Sequence, residues 1–153
     1  MLFRSLSALT TKVPVIFLDP KKIYRSLKEE VPNHHYTLPL DKAIVRREGQ
    51  DVSLVAYGAM SDITEKAAIM AEDLGISCEV IDLLTLLPFD LETLAASVSK
   101  TSRFIVVHEA PQTCGYGAEL IATIQEKFFS QLKSPALRVT GFDTPVSYSL
   151  EDH

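Results

Sequence analysis

Cysteine is scarce in this sequence, basic charge is in deficit, and no apolar stretch is long. Each shortage excludes something. The two cysteines, Cys78 and Cys114, stand far apart and form neither a CxxC pair nor a zinc-ligand spacing. They read as reduced thiols rather than as a disulfide framework or a metal site. Lys and Arg number 15 against 20 Asp and Glu, for a net charge of −5. Without a basic field there is nothing to hold a phosphate backbone, so no nucleic-acid partner is expected. No run approaches the roughly 20 apolar residues of a bilayer span, so no membrane partner is expected either. Neither GxGxxG nor GxxxxGK[ST] occurs, which removes the common nucleotide fingerprints.

What is present is an alternation. Val52–Tyr57, Ser77–Asp82, Phe104–Val107 and Leu137–Val139 are short apolar runs rich in β-branched residues, each bounded by turn residues as strands are. Helical spacing separates them. Ile63, Ala67, Met70 and Leu74 recur at helical intervals after Asp62 and Glu65, which read as a capping box, and Gly75 reads as a stop. Asp90 precedes a second helix carrying Leu91, Leu94, Ala95 and Val98, and a third spans about 118–129. Strands that are apolar throughout and alternate with helices predict a parallel sheet covered on both faces. The expected fold is therefore α/β, a three-layer α/β/α domain with a mostly parallel sheet, from about residue 44 onward. Residues 21–43, broken by Pro32 and Pro39 and carrying His34-His35, read as a connector. Residues 1–20 read as a helix end feeding a strand at Val13–Leu18. Arg4, Lys12 and the hydroxyls of the first twelve residues only superficially resemble a transit peptide.

One loop concentrates polar and special residues: His108-Glu109-Ala-Pro-Gln-Thr-Cys114-Gly115-Tyr116-Gly117. It leaves the carboxyl end of a strand and opens a helix, the place where open α/β sheets bind ligands. Gly115, Tyr116 and Gly117 are the candidate anion loop, since a helix amino terminus offers free N–H groups. The same glycines also serve close packing. His108 and Glu109 are adjacent on a strand and so point to opposite sides, which argues against an acid/base pair. Cys114 paired with His108 is a further reading, requiring the histidine to fold back. Asp143, in Asp143-Thr-Pro145, reads as a turn residue or a docking charge. No catalytic, cofactor-binding or metal-binding residue is assigned.

Seven segments in order extend this reading: PVIFLDPKKIYR at 14–25, EEVP at 29–32, YTLPL at 36–40, EGQDVSLVAYG at 48–58, CEVIDLLTLLPFD at 78–90, HEAPQTCGYGAEL at 108–120 and RVTGFDTP at 138–145. Together the chain resembles the β subunit of the decarboxylating component of 2-oxoacid dehydrogenase complexes. His108-Glu109 resembles the branched-chain (2-oxoisovalerate) type. The pyruvate type, the alternative, tends to carry two acidic residues there. The resemblance implies a transketolase carboxyl-terminal domain at 44–153, cut short at its end, with residues 1–20 the tail of a preceding pyrimidine-binding domain. It implies thiamine diphosphate and magnesium in the complete enzyme, with neither bound by this chain. It implies an α subunit, a second β subunit and a lipoyl acyltransferase core as partners. The implied compartment is the cytoplasm in a bacterium or the mitochondrial matrix in a eukaryote. His108, Glu109 and Asp143 become the interface candidates. A free-standing anion-binding α/β module and a Cys114-dependent enzyme are the competing readings.

Overall fold

The computed structural model describes residues 2–20 and 38–145. His34-His35 and most of the connector lie outside them. Helix α1 spans Leu2–Thr10. Strand β1 (Ile44–Arg47), strand β2 (Val52–Ala56), helix α2 (Met60–Glu72), strand β3 (Cys78–Asp82), helix α3 (Leu91–Thr101), strand β4 (Phe104–Pro111), helix α4 (Gly117–Phe128), a 3₁₀ turn (Phe129–Gln131) and strand β5 (Leu137–Gly141) follow.

The five strands form one sheet in the order β1-β3-β2-β4-β5. β2, β3, β4 and β5 are parallel, and β1 runs antiparallel along β3. The strands that the apolar runs predicted occupy the centre. β1 was not foreseen: it has only Ile44 and Val45 before Arg46 and Arg47, too few apolar residues for a pattern. Its arginines explain its place. Arg46 binds Asp62 at 2.7 Å and Glu65 at 2.6 Å, and Arg47 binds Glu72 at 2.6 Å, so charge holds the edge strand to α2.

α3 and α4 cover one face. Val55, Ile81, Phe104 and Val106 of the sheet meet Leu94, Val98, Leu120 and Ile124 of the helices in the main core. Each such side chain contributes about 1.5–3 kcal/mol when fully buried. Asp90 caps α3 as the sequence predicts, accepting from the Thr93 N–H at 3.1 Å and from its hydroxyl at 2.7 Å. Among the described residues α2 alone covers the other face, over Val52, Leu54, Cys78 and Val80.

Three features depart from the sequence reading. Val13–Leu18 forms no strand: Ile16 and Leu18 are exposed, and no neighbouring strand among the described residues supplies hydrogen bonds. The Asp62-Glu65 capping box is absent, because α2 begins at Met60 without a side-chain cap. Both carboxylates are drawn instead to Arg46. The buried face of α2 also differs from the expected one. Ser61, Thr64 and Ala68 face the sheet, whereas Ile63, Met70 and Leu74 are exposed.

Candidate functional site

The β4–α4 loop sits at the carboxyl end of the sheet, where the sequence placed it. Alternation along β4 turns Phe104, Val106 and His108 toward the α3–α4 face. His108 is only 1% exposed, while Glu109 is exposed. The two therefore do not form an acid/base pair, as strand alternation requires.

The glycines are explained by the imidazole. A Cβ at Gly117 would lie 2.4 Å from ring atoms of His108, and one at Gly115 would lie 2.5 Å from the same ring. Both distances are below any real contact, so the loop closes over His108 only because these positions lack side chains. Tyr57 stacks on the ring at a centroid distance of 6.0 Å and an interplanar angle of 9°. Tyr116 meets Tyr57 edge-on at 6.3 Å and donates its hydroxyl to the Leu86 carbonyl. The result is an aromatic stack roofed by the first turn of α4.

Its electrostatics follow from burial. Burial lowers the His108 pKa, and the nearby Arg138 charge lowers it further; the Ala110 backbone opposes this, without reaching hydrogen-bond geometry. Neither ring nitrogen has a hydrogen-bonding partner among the described residues. A buried imidazole in this state is held neutral. Burial likewise raises the pKa of Tyr57 and Tyr116.

The outer part of the loop is latched to β5. Asp143 accepts from the Thr113 N–H at 2.8 Å and its hydroxyl at 2.6 Å, and these bonds lower its pKa. Arg138 donates to the Gln112 carbonyl at 2.9 Å. Asp143 is thus a turn-closing residue within the chain.

The remaining expectations can be placed on this geometry. Cys114 is exposed and takes φ +60°. It is not the partner of either His108 nitrogen, so the Cys–His pair does not form. Gly115, Tyr116 and Gly117 do open α4. The N–H groups of Ala118 and Glu119 already donate to Gly115 and Tyr116 carbonyls at 3.0 Å, and Glu119 places a carboxylate in the first turn. Both features offset the charge that would attract an anion. Sequence reading missed Tyr57 and its stack on His108. The signal was an aromatic at the carboxyl end of the strand next to β4.

Comparison with known proteins fits this fold. The family description "Transketolase, C-terminal domain" matches residues 41–153. The chain is 50% identical over 140 residues to the 2-oxoisovalerate dehydrogenase subunit beta 2, mitochondrial, of Arabidopsis thaliana, covering 92% of this chain and 39% of that protein. It is 46% identical over 144 residues to the pyruvate dehydrogenase E1 component subunit beta of Bacillus subtilis, covering 94% and 44% respectively. A solved chain described as a split gene transketolase, inactive β4 tetramer, superimposes with a TM-score of 0.64 at 28% identity, covering 76% of this chain and 37% of that one. The chain thus spans less than half the length of the relatives it matches.

Proposed function

We propose, from the premise that the chain belongs to the transketolase C-terminal domain family, that it is the assembly domain of a 2-oxoisovalerate dehydrogenase β subunit. The observation that carries this is the 50% identity to a 2-oxoisovalerate dehydrogenase β subunit across 92% of the chain. The full enzyme decarboxylates a branched-chain 2-oxoacid with thiamine diphosphate and magnesium and passes the acyl group to a lipoyl arm. The chemistry resides in the other domains and in the α subunit. This domain contributes surface: to the α subunit, to a second β subunit and to the acyltransferase core. The compartment follows the source, mitochondrial matrix or bacterial cytoplasm. Residues 1–20 belong to the preceding pyrimidine-binding domain in this reading.

The β4–α4 loop supports such a role better than catalysis. His108 shapes the loop from inside, Asp143 latches it, and Glu109 stands outward as the contact. The pyruvate type remains the alternative, favoured by the 46% identity to a pyruvate dehydrogenase β subunit.

The test is reconstitution. The chain is mixed with an α subunit and the amino-terminal half of a branched-chain β subunit. Oxidation of 2-oxoisovalerate in excess over pyruvate is expected only when all three are present. Activity with pyruvate alone moves the assignment to the alternative. Micromolar thiamine diphosphate binding by the chain by itself, read calorimetrically, refutes the assembly role.

A further inference from the structure

The β4–α4 loop is fastened at its rim and rests on an unpaired group beneath. At the rim, Asp143 accepts from Thr113, Arg138 donates to the Gln112 carbonyl, and the Tyr116 hydroxyl donates to the Leu86 carbonyl. Beneath lies the His108 ring, 1% exposed, with neither nitrogen paired among the described residues. The cover is one chain thick: Gly115 and Gly117 are buried against the ring, while Cys114 and Ala118 beside them are exposed.

Two features mark this cover as separable from the sheet. The β4–β5 register shifts between Val107 and Pro111, so the ladder is irregular beside His108. Cys114 takes φ +60°, a left-handed conformation that a cysteine adopts only where its surroundings impose it. Release of the rim would relieve that constraint. The core below does not depend on these fastenings, since Val106, Leu120 and Ile124 pack in the main cluster.

The groups around the ring give an added proton no counter-charge. From β2 comes the Tyr57 ring, stacked on it, and burial raises the Tyr57 pKa, so its phenol stays neutral. Tyr116, at the start of α4, meets Tyr57 edge-on, and burial and then Glu119 raise its pKa as well. α3, the other helix on this face, contributes the apolar Leu94 and Val98. Burial, and then the Arg138 charge on β5, disfavour an imidazolium, with the Ala110 backbone opposing them. Glu109 stands on the other side of β4 and Glu119 is exposed. A neutral ring is stable under the loop, whereas a charged one requires water or a counter-charge.

We propose that protonation of His108 opens the β4–α4 loop, making residues 112–119 an acid-sensitive cover over the carboxyl end of β4. A charged imidazole reaches water by going outward past Gly115 and Gly117, and the loop must lift to allow it. The sheet and the body of each helix stay folded, as in local opening. Lifting exposes Tyr57 and Tyr116 and so changes the surface at this end of the domain. One proton drives the step, so the opening equilibrium rises by no more than about tenfold per pH unit. Asp143, whose bonds to Thr113 lower its pKa, stays ionised throughout, so the rim does not release by its own titration. The inference rests on the geometry of the loop and not on which oxoacid the assembly uses, so either can fail without the other.

Hydrogen exchange of the whole chain tests it, read amide by amide by NMR and corrected for the intrinsic rate at each pH. The reporters are the Thr113, Ala118 and Glu119 amides, whose bonds to Asp143, Gly115 and Tyr116 break on opening. Amides of β2 and β3 report global unfolding. The loop amides are expected to open severalfold more often at about pH 5.5 than at about pH 7.5. Low urea should leave their exchange unchanged, which marks a local event. His108→Gln should abolish the acid response, and it separates His108 from His34, His35 and His153, which lie outside the described residues. Tyr116→Phe removes a fastening and should raise opening by the same factor at both pH values. An acid response that survives in His108→Gln overturns the proposal. So does a wild-type loop whose opening is indifferent to acid, a result that needs no variant. Loop amides that follow β2 and β3 in rate and in urea dependence overturn it too, because the unfolding is then global.

Discussion

Lys100→Ala should destabilise this domain far more than an ordinary surface lysine. Glu79 is the second residue of β3 and is 2% exposed. One carboxylate oxygen accepts from the Ser97 hydroxyl at 2.5 Å, and the other binds the Lys100 ammonium. Ser97 in turn meets Ser53 at 2.5 Å, and Ser53 meets Thr101 at 2.6 Å. This polar network joins β2, β3 and α3 inside the sheet–helix interface. Lys100 also binds Glu48 at 2.7 Å, and its side chain is 29% exposed. Its removal leaves the Glu79 charge buried against one hydroxyl. Breaking a buried pair from one side costs about 3–5 kcal/mol, and the partial exposure of Lys100 places the effect toward about 3. Glu79→Gln keeps shape and the Ser97 contact and should cost less, about 1–2 kcal/mol. Replacing the pair together, with Glu79→Leu and Lys100→Met, should recover most of the loss, since two apolar residues leave no stranded charge. Urea unfolding followed by circular dichroism reads all three through the midpoint at constant slope. A Lys100→Ala loss below about 1 kcal/mol, the range of exposed ion pairs, refutes the reasoning. So would a double variant worse than Lys100→Ala.

Three further outcomes follow from the same structure. Gly117→Ala should cost about 1–3 kcal/mol by overpacking, because its Cβ would meet the His108 ring at 2.4 Å and the ring is stacked on Tyr57; adding His108→Ala should recover part of that loss, read as a non-additive cycle in urea. Asp90→Ala removes an α3 cap and should cost at least about 1 kcal/mol. Burial opposes ionisation of Asp90, but the Thr93 hydroxyl, the Thr93 and Ala43 N–H groups and Lys42 together lower its pKa from 3.8, so its contribution is full above about pH 3.8 and lost as pH falls below, and an acid-unfolding curve for Asp90→Ala should lack that part of the slope. His108, its pKa lowered from 6.5 mainly by burial, binds its proton more readily in the unfolded chain. Stability should fall as pH drops below 6.5, and His108→Gln should flatten urea midpoints between pH 5 and pH 8; an unchanged slope would show that the imidazole is not held neutral.

The central sheet was readable because VSLVA, CEVID and FIVV are continuous apolar runs, and such runs belong between two helical layers. The Asp90 cap was readable because capping is local. Val13–Leu18 is not a strand here because an apolar β-branched run needs a neighbouring strand, and none lies beside it among the described residues. β1 was missed for the converse reason: it is held by Arg46 and Arg47 reaching α2, contacts that span the sequence and have no local signature. The loop residues were all named in advance, with close packing for the glycines and a turn for Asp143 among the roles weighed. Only the folded geometry shows that Gly115 and Gly117 make room for His108.

The case of α2 is the most instructive, because the periodicity was sound and its direction was wrong. Ile63, Ala67, Met70 and Leu74 do form one stripe. A stripe says that a helix has an apolar side, and leaves open what that side faces. The sheet beneath α2 is satisfied by small residues, Ser61, Thr64 and Ala68, which let the helix approach closely. The two hydroxyls have no partner among the described residues, a local cost that close packing must offset. Arg46 and Arg47 then set the rotation by drawing Asp62, Glu65 and Glu72 toward β1. Rotation about the helix axis is a single variable, so anchoring the acidic flank at β1 turns Ile63 and Met70 away from the sheet. A helix oriented mainly for its own domain would turn Ile63 and Met70 inward and the hydroxyls out. The observed orientation follows the ion pairs and leaves Ile63 and Met70 exposed. The direction of the stripe is therefore set by charge, and Arg46→Ala is its most direct probe. Loss of that anchor should free α2 to rotate and bury Met70. Protection of Met70 from peroxide oxidation should rise in Arg46→Ala, and unchanged protection would count against an orientation set by charge.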